Sequence, residues 1–213
     1  MSAYLGDVVT LARKDLLLEL RSRDTVPAML LFVVSTLVVF NFALPAESGD
    51  RAAYGLLWVA IVFTALLGLT RAFLAEREQR VLDGLVLTPC DRSAIWLGKV
   101  VAVAVFLLLA EAVALPAFDV FFEPVTWELA AAVLLADAGL AAVGTLLSAM
   151  AAAARTRELL LPLLFLPLAI PIVVGGVGAS IAEDPGRYLG FLGLYDLVFA
   201  ILSWASFEYV VTE

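Results

Sequence analysis

Histidine is absent from the 213 residues, and cysteine occurs once, as Cys90. Without imidazole the chain has no histidine metal site, no histidine general base and no histidine axial ligand for a haem iron. A single thiol builds neither a disulfide framework nor a Cys-x-x-Cys pair. Lysine is scarce as well: Lys14 and Lys99 are its two copies, and acidic residues outnumber basic ones by 21 to 13. That balance argues against nucleic acid as a partner and fits a high-salt source. Sequence signatures of catalysis are missing too. Gly98-Lys99 lacks both the earlier glycine and the following Ser or Thr of a phosphate loop. No Gly-x-Ser-x-Gly elbow and no Cys-x-x-Cys-His segment occurs. No catalytic residue and no metal ligand set is therefore assigned, and no cofactor is expected on this chain. If work is done on a solute, its energy comes from elsewhere.

What the sequence has in abundance is apolar length. Hydrophobic residues make up 63% of it, and the mean hydropathy is +1.04. The excess is gathered into runs of roughly twenty residues, the length that crosses about 30 Å of hydrocarbon as helix. The alternating segments of roughly ten residues that a barrel requires are not found. The fold class is therefore an all-α polytopic membrane protein, one transmembrane domain over residues 1–213. Six spans are placed at 26–44, 54–75, 95–118, 127–153, 159–181 and 191–211. The first is too long and starts too late for a cleavable signal peptide.

Ahead of the spans, residues 3–22 have helical periodicity. Leu5, Val8, Val9, Ala12, Leu16 and Leu20 share one face, with Asp7, Thr10, Lys14 and Arg21 opposite. With Arg13 and Arg23 this reads as an interfacial helix on anionic headgroups. Asp24 or Thr25 can cap the next helix, and Pro27 suits its first turn. With the N-terminus in the cytoplasm, the inner side collects eleven basic residues and the outer side keeps Arg51 and Arg187. This positive-inside asymmetry puts both termini in the cytoplasm of a multi-pass plasma-membrane protein.

The same topology places residues 76–94 inside the cell. This polar interval carries Glu76, Arg77 and Glu78, then a short amphipathic turn of helix around Val81, Leu82, Leu85 and Val86, closed by Thr88-Pro89. It is either a solvated connector or a docking element for a soluble partner. Within the spans, Glu111 and Asp137 lie at comparable depth. A carboxylate there costs about 2.5–3.5 kcal/mol on insertion scales. Each is either functional or a protonated carboxyl bonded to a neighbour such as Thr145. Lys99 and Asp196 fall near span ends, where snorkelling accounts for them. The fourth span is crowded with Ala, Gly and Ser, which suits a central position or a dimer seam. The fifth carries Pro162, Pro167 and Pro171 and is expected to be kinked or broken, as a hinge or as plain architecture.

Four stretches resemble one family. They are 14–23 (Lys-Asp-Leu-Leu-Leu-Glu-Leu-Arg-Ser-Arg), 55–59 (Gly-Leu-Leu-Trp-Val), Leu82-Asp83-Gly84-Leu85 with Thr88-Pro89, and 161–171 (Leu-Pro-Leu-Leu-Phe-Leu-Pro-Leu-Ala-Ile-Pro). The chain resembles type-two ABC permeases and, within that class, CcmB, the membrane subunit of a haem exporter of cytochrome c maturation. The resemblance implies the type-two permease fold and a dimer with a second copy of the chain. It also implies a separate CcmA-like ATPase that binds ATP, and CcmC-like and CcmE-like haem-handling partners. It makes residues 76–94 a coupling helix, with Glu76, Arg77, Glu78, Leu82, Asp83, Leu85, Thr88 and Pro89 as the ATPase contact. Haem is then a possible cargo. The alternatives are ATP-driven release of a haem-loaded chaperone without translocation, which the missing histidine favours, or a same-fold permease for a drug or lipid.

Overall fold

The computed structural model describes residues 2–22, 24–45, 49–71, 91–153 and 157–212. Among these are seven helices and no strand: α1 (Ser2–Ser22), α2 (Thr25–Ala43), α3 (Gly49–Arg71), α4 (Arg92–Phe121), α5 (Trp127–Ala153), α6 (Arg157–Ile181) and α7 (Pro185–Thr212). The last six are long and apolar enough to cross a membrane. The all-α, six-span architecture with an N-terminal helix is thus the one the hydropathy pattern requires.

Local chemistry explains where the helices start. Asp91 caps α4 by accepting the Ser93 backbone N–H at 2.9 Å. The Thr126 hydroxyl accepts the Leu129 N–H at 3.2 Å at the head of α5. Pro185 opens α7 six residues before the sequence boundary at 191, because its fixed φ suits a first helical turn. At α2 the expected cap is corrected. Asp24 occupies the N-cap position with a helical backbone and makes no side-chain capping bond. The Thr25 N–H donates instead to Glu19 Oε1 on α1, at 2.7 Å.

Helices α3 and α5 form the centre, with 61% and 67% of their membrane-length stretches buried against 17% for α2 and for α7. Of the two places open to the small-residue span, α5 takes the central one, packing against α3, α4, α6 and α7. Small side chains make this possible. A Cβ at Gly144 would overlap the Leu69 side chain of α3, and one at Gly176 of α6 would overlap the Trp58 ring. Hydrogen bonds fix the same seams: Ser148 Oγ donates to the Leu69 carbonyl at 3.0 Å, and Trp58 Nε1 to Ser180 Oγ at 3.2 Å. Helix α2 buries one narrow stripe, Thr25, Met29, Val33 and Leu37, and exposes Leu31 and Phe42. Apolar side chains exposed on an outer helix of this length face lipid.

Part of the apolar face of the N-terminal helix packs against the bundle. Its buried face is Val8, Ala12 and Asp15, while Leu5 and Val9 are exposed. It lies against the first turns of α4, where a Cβ on Gly98 would sit 2.9 Å from Leu11 Cβ. Lys99 does not snorkel. Its side chain is 7% exposed and its Nζ meets Asp15 Oδ2 at 3.0 Å, while Lys14 Nζ meets Asp15 Oδ1 at 3.0 Å.

Candidate functional site

Three groups of residues are candidates: the polar interval 76–94, the acids within the spans, and the prolines of α6. Glu76, Arg77, Glu78, Leu82, Asp83, Leu85, Thr88 and Pro89 lie outside the described residues. The described edge of that interval is well anchored. Asp91 caps α4, Ser93 Oγ donates to Tyr4 Oη of α1 at 3.1 Å, and Arg92 Nη1 meets Glu208 Oε1 of α7 at 2.8 Å. The chain leaving residue 90 is therefore tied at once to both terminal helices.

Glu111 and Asp137 are brought together. They sit ten residues from Phe121 and from Trp127 on neighbouring helices. At about 1.5 Å of rise per residue, both lie about 15 Å from the same end of the bundle. Glu111 is 5% and Asp137 3% exposed. Their carboxyls are close enough to hydrogen-bond to one another when one of them carries a proton. None of the four carboxyl oxygens finds a partner elsewhere among the described residues. The expected bond to Thr145 is not made, since its buried hydroxyl has no partner either. Beside Glu111 is a small cavity of about 10 Å³, bounded by α2, α3 and α4 and lined also by Thr64.

A third acid belongs to this layer. Asp196 lies eleven residues into α7, at mid-span and not near an end, because α7 begins at Pro185. Both of its carboxyl oxygens are buried without a hydrogen-bond partner, and a Cβ on Gly139 of α5 would run into Oδ1. Snorkelling therefore fails for Asp196 as it does for Lys99. The signal that could have located it is Pro185 following Glu183-Asp184, a helix-start pattern that moves the span boundary outward. Among the described residues, no group of three or more His, Cys, Asp or Glu could hold a metal ion.

Helix α6 runs unbroken from Arg157 to Ile181 through Pro162, Pro167 and Pro171, so of the two expected forms, kinked or broken, a break is excluded. Each proline removes one backbone N–H and leaves the carbonyl four residues earlier without its helical donor. Next to the carbonyl that Pro171 orphans, the Leu168 carbonyl accepts Tyr195 Oη–H from α7 at 2.7 Å. On the other side, Pro167 lines an open groove between α3 and α6, about 430 Å³ in volume, with Val59, Phe63, Ile170 and Val174 among its walls. All of its lining side chains are apolar.

The arrangement is that of a helical bundle with an apolar groove and a buried acid layer. The chain is 31% identical over 182 residues to heme exporter protein B of Paracoccus denitrificans, covering 82% of this chain and 83% of that one. It is 30% identical over 184 residues to heme exporter protein B of Pseudomonas aeruginosa, covering 83% and 81%. A third protein of that name, from Bradyrhizobium diazoefficiens, is 27% identical over 181 residues, covering 83% and 82%. The family described as CcmB protein matches residues 7–206, from within α1 to within α7. The chain is a multi-pass membrane protein and belongs to the CcmB family.

Proposed function

We propose that this chain is the membrane subunit of an ABC-type haem exporter that serves c-type cytochrome biogenesis. The observation that carries the reading is its likeness to heme exporter protein B over more than four-fifths of both chains. The chain contributes six spans and no phosphate loop, so a separate CcmA-like subunit binds and hydrolyses ATP. Residues 76–94 form the coupling element, with Leu82 and Leu85 seated in a groove of that subunit and Glu76, Arg77, Glu78, Asp83, Thr88 and Pro89 around them. The eleven-to-two distribution of basic residues supports both termini, and this interval, on the cytoplasmic side of the plasma membrane. A second copy of the chain completes the membrane unit, and Pro162, Pro167 and Pro171 let α6 move as the ATPase pair closes. The direct test is transport. Vesicles holding the chain and its ATPase should accumulate haem when ATP is supplied, and an ATP-independent or absent signal contradicts export.

A second reading has its own support. Haem held in transit needs an axial ligand or a cation for its carboxylates, the sequence has no histidine, and the α3–α6 groove offers only apolar walls. In this reading, ATP-driven closure releases a haem-loaded CcmE-like chaperone from a CcmC-like partner and no haem crosses the chain. Deletion of the chain abolishes c-type cytochromes in either case. Intact c-type cytochromes after deletion would leave the same fold serving another cargo, a drug or a lipid.

A further inference from the structure

The acid seam between α4 and α5 has a feature that transport by rigid helices does not require. Two carboxyls are held together at mid-membrane, with no cation opposite them among the described residues. Both cannot be ionised, because burial and mutual repulsion act against the second charge. The titratable surroundings offer no relief. Residues 25–43 of α2, 55–70 of α3 and 159–181 of α6 contain no ionisable side chain. Tyr54 packs on Phe118 near the start of α3, and Glu128 sits at the start of α5. Lys14, Asp15 and Lys99 form their own cluster near the start of α4, Glu208 pairs with Arg92, and Asp196 packs on Gly139. Tyr195 spends its hydroxyl on Leu168.

The cavity supplies the second observation. Its volume of about 10 Å³ is that of one water probe, and polar atoms reach it from two helices, Glu111 from α4 and Thr64 from α3. Thr64 is 3% exposed, and its hydroxyl donates to the Ala60 carbonyl at 2.7 Å, which leaves its oxygen as an acceptor. A water there would donate one hydrogen to Thr64 and one to Glu111. We propose that the Glu111–Asp137 seam binds one proton and one water: the carboxyls share the proton, and the water fills the cavity between Glu111 and Thr64. The proton turns two repelling acids into a donor and an acceptor, so it joins α4 to α5. The water extends the junction to α3. Any movement that parts α4 from α5 must then release or relocate that proton.

Infrared spectroscopy of the full chain in lipid nanodiscs tests both halves. At about pH 8, well above the ordinary carboxylate range, the wild type should retain a protonated-carboxyl C=O band. The band should vanish or shift in Glu111→Gln and in Asp137→Asn, and persist in Asp196→Asn. Absence of the band in wild type overturns the shared proton, as does a band left unmoved by either Glu111→Gln or Asp137→Asn. A bound-water O–H stretch that moves in heavy-oxygen water should disappear in Thr64→Val. If no such stretch exists, or if it survives Thr64→Val, the water is not at this site.

Discussion

Helix α4 carries two buried ionisable side chains, and they are solved in opposite ways. Near its start, Lys99 meets Asp15 at 3.0 Å, a pair of opposite charges whose carboxylate is also held by Lys14. Twelve residues on, Glu111 meets another acid, with no cation in reach among the described residues. The first cluster is complete with fixed charges, and its consequence is mechanical: it fastens the N-terminal helix to the span that follows residues 76–90. The second cannot be completed by fixed charges and needs something mobile. A membrane protein with few charges therefore distinguishes a permanent joint from a conditional one by the partner placed opposite.

That contrast can be broken from the stronger side first. Asp15→Leu takes away the carboxylate that meets buried Lys99 at 3.0 Å, and loss of one partner of such a pair costs about 3–5 kcal/mol. Unfolding in detergent should show that drop, and most of it should return in Asp15→Leu with Lys99→Met. If the single variant is as stable as wild type, the joint is not a joint. Next in size, Gly144→Leu drives a side chain into Leu69 without touching any charge and should cost about 1–3 kcal/mol, visible in the same melt. Tyr195→Phe removes one neutral hydrogen bond across the α6–α7 seam, worth about 0.5–1.5 kcal/mol. The smallest effect belongs to Arg92→Ala. Its pair with Glu208 is solvent-exposed, so a change below about 1 kcal/mol that fades with added salt is expected.

Hydropathy made the architecture legible, because a run of twenty apolar residues has one stable form in lipid. It also made Glu111 and Asp137 visible as anomalies, each being a lone acid in such a run. Partnership was not legible. Whether Lys99 reaches water or Asp15 depends on where α1 lies, and one end residue's helical phase does not report that. Asp196 was hidden by a boundary error of six residues, since Phe191 starts the apolar run while Pro185 starts the helix. Likewise the periodicity of α1 marked an apolar face but not which part of it meets α4. Leu5 and Val9 share chemistry with Val8 and Ala12 and differ from them only in what they touch.

The central claim is that a separate ATPase drives this chain through residues 76–94. Purifying the chain from its native membrane, as wild type and as Leu82→Glu/Leu85→Glu, and measuring the ATPase activity that comes with it tests that claim most directly. The account predicts activity with the wild type and a loss of about tenfold or more in the variant, the equivalent of about 1.4 kcal/mol of docking energy, with the spans still folded. Equal activity in both, or none with either, would contradict it.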